Sequence, residues 1–222
     1  MALTQVRCAS CLLAIALGFP YPSFAFDTPL SDTAVREAYF MGQRHDETLA
    51  HFLDKYSAHL PAPKTGPYIS SVTFFTPYAQ AVQLSSTFPS GYSAQQAQID
   101  HRKHEETVKL IVQIQLTQSY GAFISGPTGS GSNSPTGYYL RPYDFWKDFD
   151  IQVFSNDRLL RAFSSSGEPT YSCGDEGGCI LTGATLQFEF LASVFATEAA
   201  TIQIDPPEGD RVVVDYDLSS VR

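Results

Sequence analysis

Residues 138–150 hold the densest group of side chains that could do chemistry in this sequence. They include six aromatic residues, among them the only tryptophan, and three aspartates. Aromatic rings stack on sugar rings or form the centre of a protein contact. The segment therefore predicts a binding surface, and the residues we assign to it are Tyr139, Tyr143, Phe145 and Trp146. The alternative is that these rings close one end of a β core.

Two groups of potential metal ligands accompany the aromatic residues. Asp144, Asp148 and Asp150 could share a calcium ion, although their spacing does not match the Asp-x-Asp-x-Asp-Gly loop. His101 and His104 lie three residues apart in a predicted helix, so both imidazoles could reach one zinc or copper ion. The alternative for the histidines is a solvated helix face. The sequence therefore predicts no cofactor outright, and calcium or zinc bound at these side chains is the alternative.

Motifs for nucleotide binding and hydrolysis are incomplete. Residues 126–133 resemble the start of a P-loop, but Ser132 stands where the lysine must reach the phosphates. There is no Gly-x-Ser-x-Gly elbow. A catalytic triad can be scattered along a chain, so a hydrolase remains an alternative.

The N-terminus predicts export. Arg7 precedes a short apolar run at residues 12–19, and small residues flank Phe24 before a cut after Ala25. An uncleaved anchor would need about 20 apolar residues, which this run lacks. We therefore predict a cleavable signal peptide at residues 1–25, and a secreted or periplasmic protein with no membrane span after cleavage.

The predicted cleavage also determines which cysteines can pair. Cleavage removes Cys8 and Cys11 and leaves Cys173 and Cys179, separated by Gly-rich turn sequence. An even pair in an exported chain predicts a disulfide. We expect it to clamp the tip of a hairpin.

The net charge of −9 argues against nucleic acid and anionic membranes as partners. The partners we expect are a protein or a carbohydrate.

The elements that must position these residues are mostly strands. Period-two alternation over residues 107–118 predicts a strand with one wet face, and residues 68–75 and 79–88 are also predicted strands. Residues 121–137 predict a long loop. Further strands are predicted at 150–154, 158–163, 170–173, 179–181, 184–190, 201–205 and 211–218.

Helices are predicted in three places. The first begins after Ser31-Asp32 and the second occupies residues 46–59, and the two form either a helical hairpin or one kinked helix. The third occupies residues 93–106, with Ser93 and Gln96 at capping-box spacing.

The fold we expect is mainly β (α+β): an Ig-like antiparallel β-sandwich with an N-terminal helical hairpin and one additional helix. The boundaries are a signal peptide at 1–25, a helical segment at 26–63 and the sandwich domain at 64–222. We expect a non-catalytic binding or assembly protein. The alternatives are a hydrolase without a recognisable motif and a calcium- or zinc-dependent binding protein.

Overall fold

The chain is mainly β, with antiparallel sheets and four α-helices in the residues that the structure describes. The computed structural model describes residues 26–88, 91–127, 136–175, 177–195 and 197–222. The predicted signal peptide lies outside these residues. Within the described ranges, no helix is long and apolar enough to cross a membrane.

The element bounds are as follows. The α-helices are α1 (Asp32–Gly42), α2 (Glu47–Asp54), α3 (Pro77–Thr87) and α4 (Ala94–His101). The strands are β1 (Ser57–His59), β2 (Tyr68–Phe75), β3 (Thr107–Gln115), β4 (Phe123–Pro127), β5 (Thr136–Leu140), β6 (Asp150–Ser155), β7 (Arg158–Leu160), β8 (Ser164–Cys173), β9 (Cys179–Leu191), β10 (Ala199–Asp205) and β11 (Val212–Asp217). Short 3-10 helices occupy Phe145–Asp148, Ala192–Val194 and Leu218–Ser220.

Each α-helix begins at a side chain that accepts a hydrogen bond from a free backbone N–H of the first turn. Ser31 Oγ accepts from Ala34 N and Ser93 Oγ accepts from Gln96 N, both at 3.1 Å, at positions that the sequence indicated. Asp46 and Thr76 cap α2 and α3 in the same way. The caps fix where each helix begins.

The strand predicted at residues 79–88 is wrong, because this segment forms α3. Thr76 is its cap and Pro77 occupies the first turn, where a fixed φ suits a helix and the missing N–H costs nothing. Two further differences concern short strands. Residues 57–59, predicted as helix, form β1, and the predicted loop at 121–137 contains β4 and the first residues of β5.

The larger sheet has five antiparallel strands in the order β1-β2-β3-β9-β8. Its central strand, β3, buries Val108, Leu110, Val112 and Ile114 in alternation, which confirms the predicted period-two pattern. The opposite face is only partly wet, because Ile111 packs against a buried cluster that contains Phe75 and Ala79.

The smaller sheet has four antiparallel strands in the order β11-β10-β6-β7. The predicted hairpin of β10 and β11 is present, and Asn156 and Asp157 join β6 to β7 with φ angles of 51° and 58°. Left-handed angles at both central residues are typical of a tight hairpin turn.

The two sheets share one apolar core. A single cluster contains Val72 and Leu110 from the larger sheet together with Val153 and Ile202 from the smaller one. Tyr216 on β11 donates its hydroxyl to the carbonyl oxygen of Val72 on β2. This buried hydrogen bond connects the sheets across the core.

The helices form a second apolar cluster, with buried residues from α1 to α4. Gly42 lets α1 approach α3 closely, because a Cβ at this position would lie 2.4 Å from the carbonyl oxygen of Val82. The helical layer is therefore held by contacts that tolerate no larger residue at position 42.

Candidate functional site

The two strands β4 and β5 form a separate antiparallel ribbon. Its strands lie within residues 121–140, a stretch of the sequence without a charged side chain. The register pairs Phe123 with Leu140 and Ser125 with Tyr138. Because directly opposed residues share a face of a sheet, as do residues two apart, all four side chains lie on the same side of the ribbon.

Three of these side chains are apolar or aromatic and exposed, and we call them the ribbon face: Phe123, Tyr138 and Leu140. Their exposed fractions are 57%, 80% and 70%. Isolated exposed apolar residues are ordinary, but a contiguous apolar face marks an interaction site more often. The ribbon face is thus the clearest candidate for a contact surface.

The other side of the ribbon carries Ile124 and Tyr139. A Cβ built at Gly126 would lie 3.4 Å from the ring of Tyr139, so this ring covers the ribbon at its glycine. Tyr139 is 43% exposed. Residues 128–135, which connect the two strands in the sequence, lie outside the described part of the chain, together with most of the P-loop-like sequence.

Arg141 anchors the base of the ribbon. Its Nε donates to the carbonyl oxygen of Gly121 at 2.8 Å, and its guanidinium lies 3.5 Å from the centre of the Tyr120 ring. Tyr120 belongs to the main core. The base is therefore fixed, although the ribbon face itself is open.

The aromatic residues predicted as a binding surface lie in different environments. Tyr143 is 66% exposed, whereas Phe145 is 3% exposed and belongs to the core. Trp146 is partly buried against the core. A Cβ at Gly167 would lie 2.1 Å from Trp146 Nε1, so the indole lies directly on the backbone of β8.

The three aspartates of this segment are exposed or paired. Asp144 forms an ion pair with Lys147 at 2.9 Å, and the hydrogen bond from Lys147 lowers the pKa of Asp144. Asp150 accepts a hydrogen bond from Gln152 at 2.7 Å, and Asp148 is exposed. Over the described ranges, no three His, Cys, Asp or Glu side chains are grouped as a metal site.

His101 is the last residue of α4 and His104 lies beyond its end, so the prediction that both histidines share one helix face is wrong. His101 Nε2 lies 2.9 Å from Glu106 Oε1, while His104 is exposed. Glu106 also accepts hydrogen bonds from Thr28 Oγ1 and from the backbone N–H of Leu30. Burial favours the neutral carboxyl, but these hydrogen bonds outweigh it and lower the pKa of Glu106. Through these hydrogen bonds Glu106, next to the start of β3, holds the segment that precedes α1.

Cys173 and Cys179 form the predicted disulfide, which joins the paired ends of β8 and β9. It clamps the tip of this hairpin, as the Gly-rich turn sequence predicted.

Sequence reasoning missed Phe123, Tyr138 and Leu140 as site residues. The available signal was their two-residue spacing on either side of a glycine- and serine-rich turn, which predicts a hairpin. No protein-family model matches the chain, and comparison with curated proteins finds no match.

Proposed function

We propose that this chain is a non-catalytic binding or assembly protein, and that the ribbon face packs against the same face of a second copy. The observation that carries the proposal is the exposure of Phe123, Tyr138 and Leu140 on one side of a two-stranded ribbon.

The ribbon's architecture supports a contact. A two-stranded hairpin is marginally stable in water without a further layer on its apolar side. Burial of apolar surface stabilises by about 25 cal/mol per Å². A partner on the ribbon face would therefore supply the layer that the described part of the chain does not provide.

The distribution of charge favours the ribbon face as the place where two copies meet. Two copies of a chain with a net charge of −9 repel each other. The ribbon belongs to an uncharged stretch, so repulsion is least where two ribbon faces meet. A two-fold contact also requires one patch that complements itself, and an apolar face meets that requirement.

The scaffold and location that we propose are those expected from the sequence. The core shared by both sheets supports a β-sandwich, which we propose to be Ig-like and to carry an N-terminal helical hairpin. The disulfide supports an oxidising location. We propose that the protein is secreted or periplasmic.

Sedimentation equilibrium over a wide concentration range tests the self-association. We expect the wild type to form dimers, and Leu140→Ser to weaken dimerisation by about ten-fold, which corresponds to about 1.4 kcal/mol. Val213→Ser is the matched control, because Val213 is 50% exposed on β11, which belongs to the smaller sheet and not to the ribbon. A wild type that stays monomeric, or a dimer that both variants weaken equally, would overturn the proposal.

A further inference from the structure

A cavity of about 530 Å³ lies in the helical layer, between α3, α4 and the start of β3. Its origin is the way the helices pack. α1 packs extensively against both α3 and α4, whereas α3 and α4 make few contacts with each other. The space between the two helices is therefore framed by α1 and left unfilled. This volume is within the range of small-molecule sites, about 300–1,000 Å³.

The cavity is apolar in part. This part is lined by Val35, Pro77, Ala81, Leu84, Tyr92 and Ala97. Ala81 on α3 and Ala97 on α4 have the smallest side chains of this set, and their size leaves room for a ligand. An apolar or aromatic body of modest size fits such a lining.

The rest of the cavity wall carries more negative than positive groups. It includes Asp100, Glu105 and Glu106 beside one lysine, Lys109, but Asp100 already forms an ion pair with Lys103 at 2.8 Å. The ammonium group of Lys109 lies 3.8 Å from Glu189, so its charge is already partly offset. Glu105 is exposed and has no ion-pair partner within the described residues. Glu105 and Glu106 therefore leave a negative charge that favours a cationic group beside them.

We propose that this cavity binds a small amphipathic amine, with the apolar body between α3 and α4 and the ammonium group beside Glu105 and Glu106. The proposal is independent of the ribbon face. The two parts of the ligand correspond to the two parts of the lining. The hydrogen bonds that Glu106 accepts from His101 and Leu30 hold its carboxylate in place, so binding requires no rearrangement of that group.

Isothermal titration calorimetry at neutral pH tests the proposal with two probes of similar shape and opposite charge, phenethylamine and phenylacetate. We expect the amine to bind and the carboxylate to bind about ten-fold more weakly or not at all. Equal binding of the two probes, or no binding of the amine, would refute the site.

Two variants locate the binding. Ala81→Leu fills the apolar part and should abolish amine binding, whereas Ala50→Leu, the same change at an exposed position of α2, should leave it unchanged. Glu105→Gln changes an exposed rim residue and should weaken the amine by several-fold without affecting the fold. Leu140→Ser tests whether the amine binds at the ribbon face instead. We expect this variant to bind the amine as tightly as the wild type does, which would exclude the ribbon face. Amine binding that survives both Ala81→Leu and Glu105→Gln would contradict the proposal.

Discussion

Similar side chains in the ribbon and just after it lie in opposite environments. Tyr138, Leu140 and Tyr143 are each at least 66% exposed, whereas Phe145 and Phe149 are at most 8% exposed. Fewer than ten residues separate the two groups. Aromatic composition alone therefore does not distinguish a contact surface from a core.

The difference comes from what lies on each side of the backbone. The 3-10 helix Phe145–Asp148 turns the chain so that Phe145 and Phe149 point into the shared core, with their ring centres 6.2 Å apart. The ribbon has only two strands, and none of its exposed face residues belongs to an apolar cluster of the described chain. A contact surface is thus an aromatic segment to which the fold supplies no second layer.

The largest expected effect is a loss of stability when the buried residue Phe145 is truncated. Phe145→Ala should lower the free energy of unfolding by about 3–5 kcal/mol, because it removes a core ring and leaves a cavity. Tyr143→Ala, two residues away, should change it by about 0.5 kcal/mol or less. Urea denaturation measures both. Similar losses in the two variants would show that the exposed and buried groups are not distinct.

The sequence predicted periodic and local features best. The alternation in β3, the serine caps of α1 and α4 and the disulfide each follow from local chemistry that tertiary packing does not oppose. The sequence did not predict α3, because Thr76-Pro77 reads equally well as the end of a strand or the start of a helix. The position of α3 against α1 decides between them. The ribbon face was missed because burial depends on the presence of a second layer, which no local pattern reports.

A smaller effect should follow from Gly167→Ala. This variant tests the position of Trp146, whose burial is intermediate between that of Tyr143 and that of Phe145. The new Cβ would overlap the indole, so we expect a loss of about 1–3 kcal/mol and a red shift of tryptophan emission. Gly178→Ala is the control, because a Cβ at Gly178 has open space around it. An unchanged emission spectrum in Gly167→Ala would mean that the indole does not lie on β8.

The third prediction concerns a buried tyrosine. Burial raises the pKa of Tyr216 from 10.0 to about 12. Between these values the unfolded chain loses the proton while the native state keeps it, so stability should fall as the pH rises from 10 towards 12. Tyr216→Phe should remove this part of the alkaline loss.

The same substitution should cost about 0.5–1.5 kcal/mol at neutral pH through the lost hydrogen bond to Val72. Tyr171→Phe is the matched control, because Tyr171 is 49% exposed. Thermal unfolding at several pH values measures both variants. An identical alkaline decline in Tyr216→Phe and the wild type would refute the assignment.

The most direct test of the ribbon face is hydrogen exchange of backbone amides at low and at high protein concentration. We predict that the amides of β4 and β5 exchange more slowly at high concentration, because a second copy covers them. The amides of residues 145–149 should be unaffected, since they are covered by the chain's own core. Exchange in β4 and β5 that does not depend on concentration, in a sample that sedimentation shows to be dimeric, would contradict the account.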